Sequence, residues 1–335
     1  MILTTLPAAA VPAGAWRPVA ATARARRWLA VAAALALAGC ETAVVAPSTP
    51  APKPAIVRPA ARVAPPEPSA ASRDLARYYQ RVEASLRGQG LLRTDGGGPD
   101  TPFTARQLTE NFIQVALFEE YASVGGSIVA RETESRLHRW TVPVRMEVSF
   151  GPSVSEDQRA RDRAFIAAYA ARLARITGRP IAPVESGGNF HVFIVNEDER
   201  RALGPRLRAL VPGISNTAVA TVTELPRTSY CLVFASDPAS TGAYRKAVAV
   251  IRAEHPDLLR LSCIHEEIAQ GLGLSNDSPD ARPSIFNDDE EFGLLTTQDE
   301  MMLRILYDPR LHPGMTAREA RPIVETIANE MMTGG

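Results

Sequence analysis

Residues 263–277 read Cys-Ile-His-Glu-Glu-Ile-Ala-Gln-Gly-Leu-Gly-Leu-Ser-Asn-Asp. Positions i and i+4 share a helix face, so on a helix Glu266 and Gln270 project together, with Glu267 beside them. Gly273 can adopt a left-handed turn and send Asn276 and Asp277 back toward the helix. Glu266, Gln270, Asn276 and Asp277 are then an oxygen-rich set. Such a set suits a hard divalent cation, Ca²⁺ or Mg²⁺, better than Zn²⁺, which prefers imidazole and thiolate. An acidic run at residues 288–291 lies nearby in sequence. No other cofactor is expected. Glu266 and Glu267 could also serve as acid or base without a metal, because a buried or paired carboxylate can have a raised pKa. Adjacent carboxylates on a helix are expected to diverge, which weighs against a metal-free pair. His265 would have Ala269 as its i+4 partner, which binds nothing, so it is not expected to be a ligand. Cys263 and His265 face different directions and do not make a nucleophile–base pair. Elsewhere, His191 on a strand and Trp140 read as core residues, and His138, His255 and His312 as exposed ones.

The elements that must position these residues follow from periodicity and caps. Residues 72–87 read as a helix with Leu75, Tyr78, Tyr79, Val82 and Leu86 on one face. Thr104 and Gln107 form a capping box before a helix that runs to about residue 121. Residues 144–150 alternate as a half-buried strand, and residues 190–195 and 230–235 are further strands. Ser155 caps a long helix that ends at Gly178 before Pro180. Residues 243–253 and 258–272 read as helical, as do 296–306 and 316–332. The expected fold is α+β, a mixed sheet packed on two main helices, with an amino-terminal helical appendage.

Composition limits the partners. Lys and Arg total 37, as do Asp and Glu, so nothing points to nucleic acid. Arg24, Arg26 and Arg27 precede an apolar run over residues 28–37, too short for the ~20 residues of a membrane span. A charged region, a short apolar region and small residues make a secretory signal, expected over residues 1–39. Residues 40–71, rich in Pro and Ala, read as a tether. A helical segment is expected over 72–125 and the main domain over 138–335. Of the 3 Cys, Cys231 and Cys263 would lie in an oxidising compartment, where a disulfide is the default and two buried thiols the alternative. Such a loop is worth about 3–4 kcal/mol by the chain-entropy argument.

Three resemblances add to this reading. Leu37-Ala38-Gly39-Cys40 resembles the lipobox of bacterial lipoproteins. It implies cleavage before Cys40, lipid on that residue, and a periplasmic protein anchored in the outer membrane, since Glu41 rather than Asp follows. Aligned on Leu272-Gly273-Leu274, the motif is similar to the H-E-x-x-H-x-x-G-x-x-H pattern of metzincin zinc peptidases. Glu267 stands at the base position, and Glu266, Gln270 and Asn276 stand where the histidines would be. Ser284-Ile285-Phe286-Asn287 resembles the methionine turn, with Phe286 in place of Met. Residues 295–299, followed by Leu306 and Tyr307, resemble the closing helix of the matrixin branch. The likeness implies a zincin-like domain without its inherited zinc ligands. The intact signature C-x-H-E-E-x-x-Q-x-L-G-L-x-N-D also resembles a family of secreted bacterial lipoproteins built on a domain of unknown function, over roughly residues 104–319. Two functions are therefore expected to compete. One is a lipid-anchored, non-catalytic domain that binds a protein or envelope polymer. The other is an envelope hydrolase using Glu267 as base, with or without an oxygen-bound cation.

Overall fold

A computed structural model describes residues 66–124, 127–287 and 289–334. The expected secretory signal, Cys40 and residues 41–65 of the expected tether lie outside the described residues, as does Asp288. The elements in chain order are α1 (Ala70–Gly88), α2 (Ala105–Leu117), β1 (Phe118–Val124), β2 (Ser127–Glu134), β3 (Arg139–Trp140) and β4 (Val144–Phe150). Then come α3 (Glu156–Thr177), β5 (Ile181–Val184), β6 (Phe190–Val195), α4 (Glu197–Arg201), α5 (Gly204–Leu210) and α6 (Asn216–Thr223). The chain continues through β7 (Cys231–Ser236), β8 (Ala243–Tyr244), β9 (Lys246–Arg252), α7 (Asp257–Gln270), α8 (Thr297–Tyr307) and α9 (Ala317–Thr333).

The fold is α+β. Its main sheet has the order β5-β4-β6-β9-β7, parallel except for the antiparallel edge strand β7. Both faces are covered. Phe190, Val192 and Ile194 of β6 and Ala247, Ala249 and Ile251 of β9 point into a core shared with α2, α3, α7, α8 and α9. Phe193, Val195, Val248 and Val250 point the other way, against Leu207 of α5 and Val222 of α6. A strand buried on both faces has no polar side to alternate with.

That burial corrects one expectation. Residues 243–253 form β8 and β9, not a helix. Ala-Val-Ala-Val-Ile reads alike for a buried helix and a central strand, and only its neighbours decide between them. The helix from Thr104 stops at Leu117, where the chain turns into the hairpin of β1 and β2. Its buried residues, Leu108, Phe112 and Val115 among them, belong to the main core, so α2 is no appendage. The caps fall as expected: the Ser155 hydroxyl accepts from Gln158 N at 3.3 Å, and Gly178 ends α3 at φ 64. Among the described residues, no helix is long and apolar enough to cross a membrane.

Candidate functional site

Helix α7 carries the motif and is anchored at both ends. At its start, the Glu83 carboxylate of α1 accepts from Leu259 N at 3.0 Å. At the next residue, Arg260 donates to both oxygens of buried Asp162 at 3.0 Å. Cys263 is disulfide-bonded to Cys231, tying α7 to the edge strand β7. At the exit, Trp140 Nε1 donates to Gly271 O at 2.9 Å and the Tyr307 hydroxyl to Leu272 O at 2.9 Å. Gly273 sits at φ +125, where a Cβ would come 2.1 Å from the His138 carbonyl oxygen. No side chain fits there, so the turn requires glycine.

His265 is locked into the core. Its ring stacks on Tyr169 at 3.9 Å, and its Nδ1 accepts from Leu295 N at 2.9 Å. Burial, reinforced by the Arg172 charge, pushes its pKa down to about 3. The imidazole is neutral and held by Tyr169 and Leu295. His138 and His255, expected to be exposed, are buried at 8 % and 2 % exposure. His138 stacks on Tyr244, and His255 packs edge-on to Tyr79, which only the docking of α1 brings there. His191 is buried on the second face of the sheet, with Nδ1 3.9 Å from the Glu147 carboxylate.

The carboxylates behave differently from the expectation. Oxygens of Glu266 and Glu267 and the Cys231 sulfur all lie within 4.8 Å of one another. Adjacent acids on one helix thus converge rather than diverge. Two long side chains can swing to a common point, and the edge strand β7 and its disulfide provide the wall they lie against. Glu267 is buried and Glu266 half-buried. Desolvation, followed by the charges of Glu267, Asp277 and Glu290, raises the Glu266 pKa well above the ordinary carboxylate range.

The oxygen set expected from sequence is divided. Gln270 Nε2 donates to Asp277 Oδ1 at 3.0 Å, so these two meet as the spacing implies. Asn276 turns the other way: its Nδ2 donates to Gln114 O at 3.1 Å and its backbone N to Val115 O at 2.9 Å, which fastens the loop to the end of α2. Phe286 is fully buried, and its carbonyl accepts from Ser278 N at 2.8 Å. Sequence reasoning missed Cys231 as a neighbour of the acids. It noted the acidic run without relating the Glu290 charge to Glu266. Only the pairing of distant segments brings Cys231 to the acids. The Cys231 sulfur is held in the disulfide and is not a thiolate ligand. Glu266 and Glu267 are the converging side chains that could take a cation here, and both are hard oxygen donors. Without one, a protonated Glu266 beside Glu267 is an acid next to a potential base. A cavity of about 490 Å³ at the base of the β1–β2 hairpin, lined by Glu119, Arg136 and His138 among others, contains none of these residues.

No curated protein and no solved structure matches the chain. Residues 105–326, which take in the motif, its supporting strands and most of the helices, match the family described as "Protein of unknown function (DUF2927)", and the chain belongs to that family.

Proposed function

We propose that the protein is a lipid-anchored envelope protein whose zincin-like domain binds a protein or envelope polymer and does not use a peptidase zinc. One observation carries this reading: the side chains at the three inherited ligand positions do not converge. Gln270 is bonded to Asp277, Asn276 to Gln114, and Glu266 lies among like charges. The antiparallel edge strand β7 beside the motif helix, the Gly273 turn and the buried Phe286 support the zincin-like comparison. The anchor reading rests on the residues before Cys40. Elemental analysis of protein purified without chelator is expected to find no stoichiometric zinc, and one equivalent would overturn the binding reading. Radiolabelled palmitate is expected to enter the full chain in bacteria and to be lost in Cys40→Ser.

The convergence of Glu266 and Glu267 favours a second reading, an envelope hydrolase in which Glu266 donates a proton and Glu267 acts as base. The two readings separate on Glu267→Gln. Loss of cellular function with an intact circular dichroism spectrum and unfolding midpoint supports the hydrolase. Retained function supports the binding domain.

A further inference from the structure

The two sulfurs of the Cys231–Cys263 disulfide have unlike surroundings. Cys231 opens the edge strand β7 and is half-buried, whereas Cys263 on α7 is 2 % exposed. A thiol arriving from solvent therefore meets Cys231 first. On the buried side, His255 Nδ1 lies 3.7 Å from Cys263 Sγ. The His255 ring is walled by Tyr79 at 4.4 Å and Tyr230 at 6.0 Å, and its buried Nε2 has no hydrogen-bond partner among the described residues. Burial, with the charges of Arg252 and Arg260, pushes its pKa well down, so the ring is neutral and carries one proton. That proton belongs on Nδ1. On Nε2 it would point at no acceptor, and the Nδ1 lone pair would face those of the sulfur. A disulfide sulfur is a weak acceptor, so this buried N–H is under-satisfied in the oxidised protein. A thiolate at Cys263 would accept the same N–H far more strongly.

We infer that Cys231–Cys263 is a thiol-exchange site, in which a thiol attacks Cys231 and Cys263 leaves toward His255. A thiolate RS⁻ forms a bond to Cys231 Sγ, and the bond between the two cysteines breaks. Its electron pair stays on Cys263 as a thiolate, which accepts the Nδ1–H of His255. No proton leaves the imidazole. A second RS⁻ attacks the R sulfur of the mixed disulfide and releases Cys231 as a thiolate. Two thiols RSH are thereby oxidised to RSSR, and the two cysteines take up the protons those thiols gave up. Oxygens of Glu266 and Glu267 lie within 4.8 Å of the Cys231 sulfur. Negative charge there repels an anionic thiol and attracts a cationic one, so the substrate class is a thiol bearing a positive charge. Neither a metal nor a hydrolytic step enters, and the exchange is independent of both readings given above.

The test treats the oxidised full chain with cysteamine or mercaptoacetate, small thiols of opposite charge, and locates the trapped adduct by mass spectrometry. The first adduct is expected on Cys231, with Cys263 a free thiol. Reduction is expected to proceed from the folded protein, at a rate that does not change with urea below the unfolding transition. Per thiolate, cysteamine is expected to react roughly tenfold faster than mercaptoacetate, the scale of one charge at about 5 Å near a protein surface. In Glu267→Gln this preference should shrink. His255→Phe keeps a ring but has no donor, and exchange should slow by roughly tenfold, the scale of one hydrogen bond to a charged group. His255→Gln, which retains an N–H, should recover part of the rate. An adduct on Cys263, or a rate that rises with urea in step with unfolding, would overturn the proposal. Both measurements use the unaltered chain and stand even if a His255 variant does not fold. Equal rates for the two thiols would remove the charge selection, and an unchanged rate in folded His255→Phe would remove His255 from the exchange.

Discussion

Glu266 and His265 are sequence neighbours with opposite protonation behaviour, and each makes a testable demand at the residue scale. Desolvation and then the Glu267 charge hold the Glu266 carboxyl protonated above its usual range. Its contribution to stability is fully present below the unfolded value and is lost as pH rises through the raised folded value. Glu267→Gln removes the nearest like charge, so the Glu266 pKa should fall; side-chain carboxyl NMR shifts followed against pH will show this or contradict it. His265 works in the other direction. The unfolded imidazole takes up a proton below about pH 6.5, and the folded one stays neutral to about pH 3. Stability is therefore intact above pH 6.5 and falls as pH drops through that window, by roughly 1.4 kcal/mol per pH unit for one proton. In His265→Leu this share of the acid sensitivity should vanish. Urea unfolding between pH 7 and pH 4 measures the change in slope. An unchanged slope would mean that His265 is not the neutral, buried ring described above.

At the scale of elements, α7 is a helix fixed by distant partners more than by its own propensity. Its disulfide to β7 closes a loop with a sequence separation of 32. Replacing both cysteines by serine should cost about 3–4 kcal/mol in urea unfolding. Native protein should show no alkylatable thiol at Cys231 or Cys263, and finding two would contradict the bond. The exit turn is the stricter point. Gly273→Ala would place a methyl 2.1 Å from a backbone oxygen in a conformation that disfavours any side chain, and neither neighbour can yield cheaply. A loss of at least ~3 kcal/mol is expected, among the largest for a single methyl. A loss within error of zero would mean that the turn is not built as described.

For the whole molecule, the family match and the folded unit have different limits. The match covers residues 105–326, yet α1 precedes it and α9 runs beyond it to Thr333. Tyr79 of α1 is fully buried, donates to Arg227 O at 2.9 Å, and meets the rings of His255 and Tyr230. Ser72 donates to buried Glu254 at 2.5 Å, and Glu254 in turn accepts from Glu197 N at 2.6 Å. Arg252 and Arg200, both buried, converge on the Glu197 carboxylate. Without α1 this network would open to water and Tyr79 would leave a void. Cutting the chain at residue 105 should therefore lower stability by several kcal/mol, the range for losing a large buried aromatic. Comparison of urea midpoints for residues 66–335 and 105–335 tests this, and equal midpoints would show that α1 is dispensable.

Local signals in the sequence determined the features that depend on neighbouring residues. Ser155 and Gly178 bound α3, Thr104, Thr296 and Thr316 start their helices, and Gly273 ends the motif, because caps and turns are satisfied within a few residues. The alternation in β4 was legible for the same reason. The cysteine pairing was legible from compartment chemistry. Tertiary structure decided the rest. β9 is a strand because β6 and β7 flank it, although its composition serves a helix as well. His255 is buried because α1 covers it. Glu266 and Glu267 meet because β7 and the disulfide bound the space they enter. Helix spacing fixes where side chains leave the backbone, but where long, flexible carboxylates end is set by the walls around them. Those walls come from segments far away in the chain. The motif could therefore be found from sequence, whereas the arrangement of its acids could not.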